Sequence, residues 1–281
     1  MAEVFDNGTK LWYEVTGDGD PLTLIGGFAL LHNQFDFCNE ILLDAGIQTI
    51  HWNYRGSGNS DWTMTEPFSI ERWVDDLKVV LDDAGIEKTS IWCTSTSTPI
   101  GMRFAAKYPD RMNALVTYPF YRTNDYWREV FTAAHWCVKA FGLTTLSRAF
   151  ASVVLTAETQ YSPEHFTYEK WAAPNYERNV NPTTMGNIMD VLSNIDLTND
   201  IPRIKCPTLL LMGQDSVMNE KAGMELGSFD FLTSEFLRLK PDAEIAAVKG
   251  AGSTYCMITM PKETTQFVID FLEKCRKERR A

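Results

Sequence analysis

Residues 91–111 read Ile-Trp-Cys-Thr-Ser-Thr-Ser-Thr-Pro-Ile-Gly-Met-Arg-Phe-Ala-Ala-Lys-Tyr-Pro-Asp-Arg. The apolar run from Thr89 to Cys93 predicts a buried strand. The small hydroxyl residues that follow predict a sharp turn with Ser95 at its tip. Pro99 suits the first turn of a helix, where its missing N–H would have no intrahelical partner, and the helix is expected to end at Tyr108, before Pro109. A strand, a tight turn and a helix in direct succession are one unit of an α/β fold.

The same grammar extends outward. Asn7-Gly8 lies between two short alternating segments and predicts a hairpin. Leu22 to Ile25, ended by Gly26-Gly27, and Ile47 to Trp52 read as buried strands. From Ser69 to Ala84 the apolar residues Ile70, Trp73, Leu77, Val80 and Leu81 recur at helical spacing with acids opposite, predicting an amphipathic helix. Ala114 to Tyr118 is a further strand. Residues 121–200 carry no strand pattern and are rich in aromatics, among them Tyr126, Trp127, Phe131, Trp136, Phe141, Phe150, Phe166 and Trp171. Alternation resumes with strands at 207–213 and 245–248 and a final helix at 262–276. The expected organisation is an α/β core of residues 1–120 and 201–281, with residues 121–200 as a helical cap over the carboxyl edge of a mostly parallel sheet, where open α/β folds bind ligands.

Composition excludes several classes. The chain has 281 residues, 44% hydrophobic content and a formal net charge of −11. That charge opposes nucleic-acid binding, which needs clustered Lys and Arg. The basic run Lys274 to Arg280 reads as the cationic end of a helix, complementing its dipole. No signal peptide and no apolar run of membrane-spanning length is present, so neither secretion nor a membrane is expected. The six cysteines lack metal-site or disulfide spacing, and reduced thiols in the cytoplasm are the expectation. No metal-ligand cluster and no G-x-G-x-x-G after a strand is found, so no cofactor is expected. Oligomeric state is left open.

The order of landmarks resembles the α/β-hydrolase fold superfamily of capped, single-domain type over nearly the whole chain. Gly26-Gly27-Phe28 is similar to the family's oxyanion turn. Asn53-Tyr54-Arg55-Gly56-Ser57-Gly58-Asn59-Ser60 is similar to its Arg-Gly-x-Gly-x-Ser turn. Tyr108-Pro109-Asp110-Arg111 resembles the end of the helix behind the nucleophile. The resemblance implies an α/β-hydrolase fold with the cap inserted after the sixth strand. It also makes residues 93–97 the nucleophile elbow, G-x-S-x-G in the family, here with Cys93 and Ser97 in place of the glycines. Ser95 then takes the nucleophile position, while Thr96 and Phe28 supply the two oxyanion N–H groups and Gly27 their turn.

The rest of the relay departs from the pattern. The family's acid is expected at the fourth residue of Gly-x-x-Asp after the late strand; Gly213-Gln214-Asp215-Ser216 puts Asp215 one place early and Ser216 at that place. The family's histidine falls at Gly250-Ala251-Gly252-Ser253, where Ser253 stands. Histidines occur only at 32, 51, 135 and 165. A serine hydroxyl without an adjacent base is a poor nucleophile, and loss of triad members costs roughly 10⁴ to 10⁶ in rate. His32, five residues after the oxyanion turn, is the first candidate for a substitute base, with His135 and His165 in the cap behind it. Cys93 is expected to be inert packing.

Three readings follow. In the first, Ser95, Thr96, Ser97, Ser216, Ser253, Thr254 and Tyr255 form a hydroxyl-rich oxyanion pocket under the aromatic cap, with Trp127 on its wall, and the protein is a lyase, cyclase or isomerase for a small hydrophobic carbonyl-containing substrate. In the second, the pocket binds a small molecule without turnover. In the third, the protein is an esterase or thioesterase-like hydrolase with a relocated base.

Overall fold

A computed structural model of the chain describes residues 1–27, 29–62, 67–154, 171–214, 229–251 and 255–280, without the side chains of 150–154 and 229–232. Eight strands form a single sheet: β1 Ala2–Asp6, β2 Thr9–Thr16, β3 Asp20–Ile25, β4 Ile47–Asn53, β5 Thr89–Cys93, β6 Met112–Thr117, β7 Thr208–Gly213 and β8 Glu244–Val248. Their order is β1-β2-β4-β3-β5-β6-β7-β8. The first two strands pair antiparallel, as do β2 and β4, and every pairing from β4 across to β8 is parallel. Strands buried on both faces must be apolar throughout, and β5 (Thr-Ser-Ile-Trp-Cys) and β7 (Thr-Leu-Leu-Leu-Met-Gly) are buried along their whole length. The β1–β2 turn is Asn7-Gly8, as expected, both with positive φ (50° and 79°), which matches the twist of a two-residue hairpin.

Helices α1 Asn39–Asp44, α2 Ile70–Asp83 and α3 Thr98–Lys107 follow β3, β4 and β5. Helix α2 buries Ile70, Trp73, Val74, Leu77, Val80 and Leu81, each worth about 1.5–3 kcal/mol relative to exposure. Its first turn is closed by Ser69, whose Oγ accepts the Arg72 N–H at 3.1 Å. The short α1, and α7 Phe229–Leu239 before β8, are elements the sequence pattern does not announce. Helices α8 Cys256–Thr259 and α9 Pro261–Arg280 close the chain, so the basic run does lie at a helix C-terminus.

Between β6 and β7 the chain leaves the sheet for helices α4 Asp125–Val154, α5 Ala173–Asn179 and α6 Pro182–Leu192. Gly142 (φ 82°, ψ 175°) breaks α4. The excursion is stitched at its base by a bridge between Arg122 and Asp196, and by Leu197 N–H donating to the Tyr121 carbonyl at 2.9 Å. None of the described helices is long and apolar enough to cross a membrane.

Candidate active site

The carboxyl ends of β3 and β5 lie side by side, with Ile25 paired to Cys93, so the turns that follow them meet. After β5 the chain turns at Ser95 and enters α3. Ser95 has φ 57°, the left-handed region that costs a non-glycine residue about 1–2 kcal/mol. The strain is held by Thr94 N–H donating to the Ile25 carbonyl at 3.3 Å and by the Thr98 hydroxyl, whose one proton is shared between the Ser95 and Phe120 carbonyls, each 2.9 Å away. Ser95 and Thr96 are half-buried, whereas Ser97 is fully buried. Its hydroxyl bonds the carbonyls of Ile25 and Thr94, both at 2.8 Å. Ser97 thus leaves the hydroxyl cluster expected from the sequence: it closes the turn and does not face a ligand.

The missing first glycine of the elbow is compensated on the facing helix. A Cβ on Gly101 would lie 2.5 Å from Cys93 Sγ and 3.1 Å from its Cβ. The small residue has moved across the strand–helix contact. Cys93 is completely buried, its thiol donates to the Thr117 hydroxyl at 3.3 Å, and burial pushes its pKa to about 12. A thiol so placed is inert, as expected.

After β3, Gly27 packs onto the elbow. A Cβ there would lie 3.0 Å from Ser95 Cβ and 3.2 Å from both Ser95 Oγ and Gln34 Oε1. The Gly27 N–H donates to Gln34 Oε1 at 2.6 Å. Gln34 is buried and its amide nitrogen reaches Met257 Sδ at 3.6 Å. Sequence reasoning missed Gln34; its only signal is a polar residue, seven after Gly27, among Leu30, Leu31 and Phe35. Ala29 (66°) and Leu31 (51°) also hold positive φ.

His32 lies on the short 3-10 turn Leu31–Phe35. Its ring packs on Trp12 (centroids 4.9 Å apart) and stands 6.4 Å from the His51 ring. Its Nδ1 is 2.9 Å from Asn53 Nδ2. The orientation of the Asn53 amide is set by its other partners: Oδ1 accepts the Asn59 N–H at 3.1 Å, and Nδ2 donates to the Trp52 carbonyl at 3.1 Å. Nδ2 therefore also donates to His32 Nδ1, and the imidazole proton sits on Nε2. Burial, reinforced by the Arg178 charge, lowers the His32 pKa to about 4. At neutral pH His32 is thus an uncharged ring.

The other described histidines are committed elsewhere. His51, in β4, bonds Asn39 Oδ1 at 3.0 Å, and burial and the neighbouring His32 lower its pKa to about 3. His135, in α4, is held in the helix packing of the cap, with Nδ1 2.9 Å from the Gly186 carbonyl and 2.8 Å from Asp190. Trp127 stacks on Phe131 (5.7 Å, 27°) and meets Phe120 edge-on at 6.5 Å. The Phe120 carbonyl accepts from Thr98 in the first turn of α3, so the Phe120 backbone lies beside the elbow. Tyr255 is buried and its hydroxyl lies 3.0 Å from that of Tyr176 in α5. Phe28, His165, Asp215, Ser216, Ser253 and Thr254 lie outside the described residues.

The chain as a whole has counterparts among known proteins. The profile of the family described as serine aminopeptidase, S33 matches residues 22–229. The chain belongs to that family. Its architecture, an eight-stranded, mostly parallel sheet flanked by helices with a helical insertion after β6, is the α/β-hydrolase fold. RutD of Escherichia coli O127:H6, to which carbamate hydrolysis is ascribed, is 22% identical over 243 residues, 85% of this chain and 86% of its own. An esterase from Thermogutta terrifontis superposes with a TM-score of 0.82 at 22% identity, covering 98% of this chain and 99% of that one. An enol-lactonase from Burkholderia xenovorans LB400 superposes at 0.77 with 19% identity, covering 97% and 100%. At such identities the structural likeness speaks for the fold, and activity has to be argued from the site.

Proposed function

We propose that this family member is an enzyme that acts through an oxyanion pocket on a small apolar carbonyl compound, without a Ser-His-Asp relay. One observation carries the reading: Ser95 keeps its positive φ beside Gly27, while the His32 ring is uncharged at neutral pH and its Nδ1 is engaged by Asn53 on the β4 side. In this reading Thr96 and Phe28 donate backbone N–H groups to a developing oxyanion. Ser95 donates a hydrogen bond and does not attack, and His32 serves as a neutral donor. Trp127, Phe120 and Phe131 form the apolar wall. Lyase, cyclase or isomerase chemistry fits such a site because stabilising an enolate or carbonyl oxyanion needs no nucleophile. A cytosolic setting belongs to the same proposal, supported by six free cysteines, five of them buried.

Family membership favours a second reading, hydrolysis with His32 as base. It requires the His32 proton to move from Nε2 to Nδ1 and the Asn53 bond to break. A fluorophosphonate probe separates the two. Labelling of Ser95 no faster than that of an exposed serine is the outcome expected here. Fast labelling that His32→Ala abolishes would establish the hydrolase and overturn the first reading.

A further inference from the structure

We propose that Asn179 is the positioning residue through which docking of the cap sets the oxyanion turn beside Ser95. Asn179 is the last residue of α5 and is buried. Its side-chain amide donates to the carbonyl of Ala29 at 2.8 Å and that of Leu30 at 3.1 Å, and approaches Asn33 Oδ1 at 3.2 Å. Its own carbonyl accepts the Gly58 N–H at 2.7 Å. One residue of the cap therefore ties together the turn after β3 and the Arg-Gly turn after β4.

The segment it grips is the strained one. Ala29 and Leu31 hold positive φ, a conformation that persists only where surrounding contacts over-determine it. Its carbonyls are turned toward the cap, and with Asn179 removed they would be buried acceptors without that donor, a costly state. Three residues earlier on the same helix, Tyr176 reaches Tyr255. The seven-residue α5 thus also meets the loop after β8, where the family places its histidine. A cap docked through α5 holds the turn in shape; a cap lifted away lets it relax. The inference rests on the oxyanion-pocket reading for the meaning of the turn, but not on which chemistry the pocket performs.

His32 provides the readout, because it lies in the gripped segment and its pKa depends on α5. The groups around its ring are Trp12, Asn53 and His51 from the sheet and the Arg178 cation from the cap. The full chain would be titrated by NMR in wild type, Asn179→Ala and Asn179→Asp, the last keeping the shape but losing the N–H donors. Loosening should admit water and remove Arg178, moving the His32 midpoint up from about 4 toward the ordinary value of about 6.5. The Leu31, Asn33 and Gly58 amides should exchange at least about tenfold faster, with β5 amides unchanged. Where Asn179→Ala does not fold, Asn33→Ala loosens the same contact from the core side. Val74→Ala, in the buried face of α2, is the control for general destabilisation. An unmoved His32 midpoint and unchanged exchange in both Asn179 variants, or an equal shift in Val74→Ala, would overturn the proposal. None of these readouts involves Ser95 reactivity, so the inference can fail while the functional reading stands, and the reverse.

Discussion

Ser95 and the paired histidines carry their roles in single torsions and single protons. The Ser95 backbone, at φ 57°, is strained for any side chain but not for glycine. Ser95→Gly is therefore expected to raise the unfolding free energy by about 0.5–1 kcal/mol, and Ser95→Ala to leave it near wild type; urea denaturation of the three proteins measures this. His32 and His51 respond to pH with one sign. Their folded pKa values, about 4 and about 3, lie below the unfolded value of about 6.5. The unfolded chain thus binds protons at these rings before the folded one does. The stability associated with keeping them neutral is complete above about pH 6.5 and is lost as the pH falls toward the folded values, with a slope approaching about 1.4 kcal/mol per pH unit for each ring. His51→Gln should make the pH 7 to pH 5 loss of stability measurably shallower. None of this was legible in the sequence: His51 could be placed in a strand, but its pairing with His32 joins residues that meet only through β4 and the turn after β3.

Elements show why a degenerate motif still builds an elbow. The pattern G-x-S-x-G is a statement about space between a strand and a helix, and it can be met from either side. In this chain Gly101 of α3 supplies the space that Cys93 of β5 takes. Gly101→Ala is expected to cost about 1–3 kcal/mol by overpacking. Cys93→Ala should recover part of that in the double variant, a coupling that a double-mutant cycle by chemical denaturation would resolve. The elbow's position and Pro99 were legible because propensity and turn chemistry are local. The exchange of small residues was not, because residues 93 and 101 share a contact only once strand and helix pack. Helix α5 illustrates the same limit. Tyr176 and Asn179 look like ordinary residues of a short helix, and no local signal marks them as the cap's polar contacts with the core.

At the scale of the whole molecule, a buried charge network joins the edge strand β1 to α2 and to the turn after β4. Arg55, in the Arg-Gly turn, is 2% exposed and bonds Asp76 of α2 through two contacts of 2.6 Å and Asp6 of β1 at 3.0 Å. Arg72 adds a second guanidinium to Asp6 and Asp76. Breaking such a cluster leaves an uncompensated buried charge. Asp76→Ala is therefore expected to lose about 3–5 kcal/mol in guanidinium unfolding, whereas Lys78→Ala, whose Asp82 partner is exposed, should lose under about 1 kcal/mol. By itself the sequence determined the alternation of strands and helices, the helical insertion after the sixth strand, the turn at Ser95 and the absence of any histidine after residue 165. Those are matters of composition, period and local turn chemistry, and each can be read a few residues at a time. Only the tertiary structure decided that Ser97 closes the turn instead of facing a ligand, that Gln34 and Asn179 both hydrogen-bond the turn after β3, and that His32 Nδ1 is taken up by Asn53. Those follow from hydrogen bonds between residues up to 223 positions apart, which no local rule of the chain encodes.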